Sequence, residues 1–167
     1  MDDTAYLADA IRQFQQLRQL ADRALAQVDD AGFFATIGPE SNSLAVLVAH
    51  LAGNMRSRWT DFLTTDGEKP DRQRDAEFDL PPTVTRPDLE RLWDEGWACL
   101  FGALRALGPG DLARTVTIRG EPMSVLQAIQ RQLVHYAQHV GQVVLLAKHA
   151  AGPAWQTLSI PRRTPSR

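Results

Sequence analysis

The sequence lacks most of the features that place a chain in a special class. Its 167 residues include one cysteine, Cys99, so no intramolecular disulfide can form, which fits a reducing compartment. No apolar run approaches the roughly 20 residues of a transmembrane helix, and the first stretch, MDDTAYLADAIRQF, lacks the apolar core of a secretory signal. The formal net charge is −2, too small to favour nucleic acid or an anionic membrane. We therefore expect a cytoplasmic protein that binds neither nucleic acid nor a membrane.

The chain is instead rich in amphipathic helical patterns. Hydrophobic residues make up 44% of it, and its length suits one domain with a sizeable core, so we expect a single domain over residues 1–167. In four segments the apolar residues recur at intervals of three and four, which is the pattern of a helix with one buried face. The predicted helices cover about 3–29, 43–62, 85–107 and 124–150, and a proline-bounded C-terminal tail covers about 151–167.

The connections between these helices differ in character. Residues 33–39 predict a loop. Residues 64–84 are polar, rich in proline and charge, and without periodicity, which predicts a long crossover that either covers one end of the bundle or crosses its solvated surface. Residues 115–124 combine β-branched residues with a turn signal, which predicts a short hairpin. The fold expected is all-α: a four-helix bundle with a long crossover between helices two and three and a β-hairpin-like insertion before helix four.

Two histidines in the fourth predicted helix, His135 and His139, lie one turn apart. Residues at i and i+4 share a helix face, so both rings can reach one metal ion. A hydrogen-bonded pair at the core boundary explains the same spacing equally well. Tyr136 occupies the place of the glutamate in a zinc protease helix, which disfavours that chemistry. A third ligand is available in His50, at the core edge of the second predicted helix, whereas His149 fits a C-terminal cap or a surface residue.

Two polar residues follow His50 on the same side of the second predicted helix. Asn54 is one turn later, where its amide could hydrogen-bond a metal-bound water or a substrate oxygen. Arg58 is two turns later and could bind a substrate carboxylate. For Arg58 we favour the alternative, a surface ion pair with Asp61 or Asp66.

Three residues in or just before the fourth predicted helix have two explanations each. Gln132 and Gln142 flank the pair, where they either support the ligands and line a pocket or form the polar edge of a helix. Glu121 precedes the fourth helix, where it is either an acid or base or a carboxylate that favours the helix dipole. No catalytic residue can be assigned.

The chain resembles the DinB-like family of metal-dependent proteins over nearly its whole length, and one subgroup of that family of unknown function in particular. The segments that carry the resemblance are AHLAGNMRSRWTDFLTTDGEKPDRQRDAEF, HYAQHVGQVVLLAKHAAG and WQTLSIPR. The resemblance implies a four-helix bundle that is commonly dimeric, with a divalent metal, zinc or nickel, on the residues matching the family's ligands, His50, His135 and His139. Some relatives are thiol transferases that use bacillithiol, mycothiol or glutathione, and many have no established activity.

Two functions from different classes follow. The first is a metal-dependent enzyme, either a thiol transferase or a hydrolase, that acts on a small molecule, because a metal held by three histidines retains positions for a thiol or water. The second is a non-catalytic dimeric bundle that binds a metal or senses a small molecule. The expected partners are a small-molecule substrate, such as a low-molecular-weight thiol, and a second copy of the chain.

Overall fold

The computed structural model describes residues 2–160, in which four long helices dominate. In chain order the helices are α1 (Asp3–Leu25), the short α2 (Asp30–Phe34), α3 (Leu44–Trp59), α4 (Arg86–Arg105) and α5 (Val125–Ala151). Strands β1 (Thr115–Ile118) and β2 (Glu121–Ser124) form an antiparallel hairpin directly before α5. The predicted mostly helical bundle with a hairpin before its last helix is confirmed. The last part of the predicted tail, residues 161–167, lies outside the described residues.

Side-chain caps begin the long helices where the sequence predicts. Ser43 accepts a hydrogen bond from the Val46 amide at the start of α3. Thr85 and Asp88 form a reciprocal capping box at the start of α4, and Ser124 forms the equivalent box at the start of α5. These caps pair backbone N–H groups that would otherwise lack partners in the first turn.

The region after α1 differs from the prediction. The first helix ends at Leu25 rather than near residue 29, and Asp29 caps the short helix α2 through the Gly32 amide. The predicted loop over residues 33–39 was therefore wrong at its start, because Phe33 belongs to α2 and is fully buried. A helix of five residues is too short to show apolar periodicity.

The crossover between α3 and α4 is tied to the hairpin. The carboxylate of Asp66 accepts hydrogen bonds from the backbone amides of Arg119 and Gly120 at 2.9 and 2.8 Å. Both turn residues have positive φ, so their amides point toward the same acceptor. The Gly67 amide donates to the Thr117 carbonyl at 2.8 Å. The crossover therefore passes along the hairpin rather than projecting into solvent.

The core contains a polar chain that is fully paired. Trp59 donates from its indole N–H to the Tyr136 hydroxyl at 3.1 Å, and that hydroxyl donates to the Asn54 side-chain oxygen at 3.0 Å. Trp93 and Trp97 are buried in the core. Within residues 2–160, no helix is long and apolar enough to cross a membrane.

Candidate metal centre

Three histidines from two helices converge beside the crossover, where Glu77 and Phe78 contact His50. α3 contributes His50, and α5 contributes His135 and His139 from successive turns. The Nε2 atom of His135 lies 3.4 Å from Nε2 of His50 and 3.1 Å from Nε2 of His139. The three candidate ligand atoms all lie within 4.8 Å of one another. The face of α5 that carries His135 and His139, predicted from their i and i+4 spacing, therefore meets the core edge of α3.

These separations are those that a shared cation requires. Two imidazole nitrogens at about 2.0 to 2.1 Å from a tetrahedral metal are about 3.3 Å apart. Without a cation, a proton on Nε2 of His135 could donate to only one of its two neighbouring rings, so the other contact would bring unprotonated nitrogens together. The residues present therefore fit a divalent metal.

Hydrogen bonds on the far side of two rings set their tautomers. The Glu77 carboxylate lies 2.9 Å from Nδ1 of His50 and can only accept, so the Nδ1 proton points toward it and the Nε2 lone pair points into the cluster. Oε1 of Gln142 lies 2.8 Å from Nδ1 of His139, which directs that ring in the same way. Carboxylate or amide support of this kind orients metal-binding histidines and raises their basicity.

Glu77 is itself held firmly, and sequence reasoning missed it. Arg72 donates from Nε and Nη2 to its two carboxylate oxygens, each at 2.8 Å. Burial raises the pKa of Glu77, but the hydrogen bonds from His50 and Arg72 outweigh that effect, so its pKa lies below the ordinary value. Gly53 makes room for this carboxylate, because a Cβ on residue 53 would overlap it.

Burial keeps His135 and His139 uncharged at neutral pH. It lowers the pKa of His135 to about 3, with a further contribution from the neighbouring rings of His139 and His50. Burial also lowers the pKa of His139, although its hydrogen bond to Gln142 opposes that shift. A metal needs neutral imidazole nitrogens, so these two rings can bind one without first losing protons.

A cavity of about 450 Å³ opens beside the histidines. Three of the predicted pocket residues, Asn54, Arg58 and Gln132, line it and are almost fully buried. The fourth, Gln142, is exposed and supports His139 from behind. The full lining is His50, Asn54, Arg58, Arg72, Arg74, Phe78, Arg119, Arg131, Gln132, His135 and His139.

The favoured interpretation of Arg58 was wrong. Its side chain is only 5% exposed and pairs with Glu68 at 2.9 Å instead of forming a surface ion pair with Asp61 or Asp66. It also donates to the carbonyl of Gly67. Burial lowers the pKa of Arg58 against the opposing effect of Glu68. The partner was not predictable because it depends on how the crossover folds back over α3.

A comparison with known protein families assigns nearly the whole chain to one family. Residues 2–164 match the family described as protein of unknown function (DUF1572). The chain belongs to this family. Neither the curated proteins nor the solved structures contain a match to it.

Other residues of this DUF1572 chain are placed away from the histidine cavity. Tyr136 is buried in the core, as its hydrogen bonds to Trp59 and Asn54 require. Glu121 is exposed on β2 and does not line the cavity. His149 is exposed in the last turn of α5, as predicted.

The cavity residues that the sequence did not indicate come mainly from the crossover and the hairpin turn. Arg72, Arg74 and Phe78 belong to the crossover of this DUF1572 protein, and Arg119 to the turn. The one available signal was the dense, alternating charge of EKPDRQRDAE. Such a run is usually a solvated loop, so it could not be assigned to a site by composition.

Proposed function

We propose that His50, His135 and His139 hold a divalent metal, zinc or nickel, and that the protein is a metal-dependent enzyme of the DinB-like type acting on a small molecule. The observation that carries this proposal is the approach of three Nε2 atoms to distances typical of one coordination sphere. The orientation of His50 by Glu77 and of His139 by Gln142 supports it, because both hydrogen bonds hold a proton on Nδ1 and turn the Nε2 lone pair toward the cluster.

The composition of the cluster favours catalysis over a purely structural role. Structural zinc normally has four protein ligands, whereas the cluster in the described part of the chain offers three. When bound, a metal at such a site lowers the pKa of a coordinated thiol or water. The chain's own residues hold the Nδ1 proton of His50 at Glu77 and present Asn54 and Gln132 to a ligand in the cavity.

Metal content tests the site directly. We expect protein purified without added chelator to contain close to one equivalent of zinc or nickel, and the variants His50→Ala and His139→Ala to lose most of it, because two ligands bind divalent metal weakly. His149→Ala is the matched control, since His149 is exposed outside the cluster and its variant should retain the metal. Equal metal content in all three variants would refute the assignment.

The reaction class is tested by two substrate panels. The DinB-like resemblance favours thiol transfer, so we expect metal-loaded protein to join a low-molecular-weight thiol to an electrophile, and chelation to abolish the turnover. A panel of esters and amides tests the hydrolase version. If neither panel is turned over while ligands still bind the cavity, the alternative of a small-molecule sensor is favoured.

We also propose a homodimer. α5 exposes Val134 and Leu145, with 68% and 63% of their surfaces accessible. They are eleven positions apart and so lie on one face of the helix, which a second copy of the chain would cover. Light scattering should give twice the mass of one chain, and the double variant Val134→Lys with Leu145→Lys should shift the protein to a monomer. A wild-type monomer at micromolar concentration would contradict the proposal.

A further inference from the structure

The lining of the histidine cavity is strongly one-sided in charge. It includes five arginines and no aspartate or glutamate: Arg58, Arg72, Arg74, Arg119 and Arg131. They come from four parts of the chain, namely α3, the crossover, the hairpin turn and α5. Residues so far apart in sequence meet only in the folded protein, so the concentration of positive charge is a property of this cavity and not of a basic sequence segment.

The two innermost arginines already have carboxylate partners. Arg72 binds Glu77 through two hydrogen bonds and Glu68 at 3.2 Å. Arg58 binds Glu68 at 2.9 Å. Both arginine side chains are 5% exposed, so these pairs are required to hold the charges in a buried position. Their role is to build the cavity wall.

The three outer arginines are not neutralised to the same extent. Arg119 shares Glu68 with the two buried arginines. Arg74 pairs with Asp75, whose side chain is 99% exposed, so water screens most of that interaction. Arg131 has no ion-pair partner within residues 2–160. An excess of positive charge therefore lies at the mouth of the cavity.

Two of the outer arginines, Arg74 and Arg119, are also positioned before any ligand arrives. The guanidinium of Arg74 lies over the ring of Phe78 at 5.1 Å, and Phe78 packs against His50. Nε of Arg119 is fixed by Glu68 at 2.7 Å. Arg131 precedes His135 by one turn of α5, which places the two side chains about 5 to 6 Å apart at Cβ on one face.

We propose that this cavity selects a small anionic molecule, whose carboxylate or phosphate group binds the outer arginines while another part of it reaches the histidines. This inference rests on the proposed function, because it takes the histidine cluster to be the part of the cavity where the reaction occurs. A volume of about 450 Å³ suits a metabolite-sized ligand.

Calorimetric titration of the chelator-treated protein tests the charge preference apart from the metal. The probes are succinate and glycerol 3-phosphate, each with its neutral counterpart, succinamide and glycerol. We expect at least one anion to bind with a Kd of about 1 mM or lower, more weakly as salt is added, and both neutral molecules to bind at least about tenfold more weakly. The anion that binds more tightly distinguishes carboxylate from phosphate recognition.

A pair of charge-matched variants locates the binding. Arg131→Gln should raise the Kd of the preferred anion by about tenfold, the usual effect of losing a charge-assisted hydrogen bond. Arg23→Gln makes the same change of charge on α1, outside the cavity, and should leave the Kd unchanged. Thermal melts establish that both variants are folded.

Three results would overturn the inference: no saturable binding of either anion, equal binding of anions and neutral counterparts, or equal effects of the two variants. These results are independent of the metal assignment. Protein that retains metal but shows no anion preference would leave the proposed function intact. Protein that selects anions but never retains metal would leave the anion site and remove the metal centre.

Discussion

The Glu77 carboxylate lies 2.9 Å from Nδ1 of His50, although the two residues are 27 positions apart in the chain. Through this contact the crossover, an irregular segment between two helices, sets the tautomer of a ligand on α3. Arg72 holds the other side of the same carboxylate, so His50, Glu77 and Arg72 form one continuous hydrogen-bonded chain. The orientation of the metal ligand therefore depends on how the crossover folds.

Replacing Glu77 with glutamine should weaken metal binding. The glutamine amide keeps the size of the side chain but removes the charge that favours the Nδ1 proton of His50, so we expect a loss of about 10 to 100-fold in zinc affinity. Competition with a chromophoric chelator measures it. Glu121→Gln, on the exposed face of the hairpin, should leave the affinity unchanged. Equal affinities for the two variants would show that Glu77 does not orient His50.

Adding a methyl group at Gly53 should reproduce part of that loss without replacing any polar group. The new Cβ would overlap the Glu77 carboxylate, which is held on both sides and can move only by breaking its bonds to Arg72 or His50. We expect Gly53→Ala to lower zinc affinity at least about tenfold. Gly102→Ala on α4 meets no atom within 4 Å and should raise stability by up to about 1 kcal/mol. A Gly53→Ala protein with wild-type zinc affinity would contradict this account.

The Glu68 carboxylate should be important for stability. It accepts hydrogen bonds from Arg58, Arg72 and Arg119, and glutamine would leave two buried guanidinium groups with one carboxylate between them. We expect Glu68→Gln to reduce the free energy of unfolding by on the order of 3 kcal/mol in urea titrations.

The matched control for that experiment is Glu95→Gln, which removes an exposed ion pair with Arg91 on α4. It should cost less than about 1 kcal/mol. If both variants lost the same stability, the burial of the Arg58 and Glu68 pair would have no energetic consequence.

Metal-free protein should become less stable as the pH falls below 6.5. Burial lowers the pKa of His135 from 6.5 to about 3, so the unfolded chain binds a proton that the folded chain excludes. The stability present above pH 6.5 is therefore lost progressively as the pH falls below that value. Between pH 7.5 and 5.5 the loss should be at most on the order of 1 kcal/mol, because solvent screens a partly exposed ring.

Urea midpoints at pH 7.5, 6.5 and 5.5 in the presence of a chelator measure this dependence. The chosen pH window lies above the range in which the titration of Glu68 changes the stability. Partial burial alone would raise the pKa of Glu68, but hydrogen bonds from Arg119 and Arg58 outweigh that effect, so folding lowers the pKa from 4.5 to about 2. His135→Gln should reduce the dependence to the part contributed by His139, whose pKa burial also lowers, and His149→Gln should preserve it. An unchanged slope in His135→Gln would show that His135 is not the group responsible.

Local periodicity predicted much of this protein from sequence. Side chains at i, i+3 and i+4 share a helix face whatever the rest of the chain does, so the four long helices and the shared face of His135 and His139 could be recognised directly. Capping residues such as Ser43 and Thr85 act within one turn, and for that reason they marked the starts of α3 and α4 well.

Only the tertiary structure decided the surroundings of the histidines. The positions of Glu77, of Glu68 as the partner of Arg58, and of Arg74 at the mouth of the cavity depend on the path of the crossover. An irregular segment has no periodicity from which that path can be read. The path is set by contacts between residues distant in sequence, such as the hydrogen bonds that the Asp66 carboxylate accepts from the hairpin turn. Helical spacing therefore determined which histidines could meet, and long-range contacts determined which charges surround them.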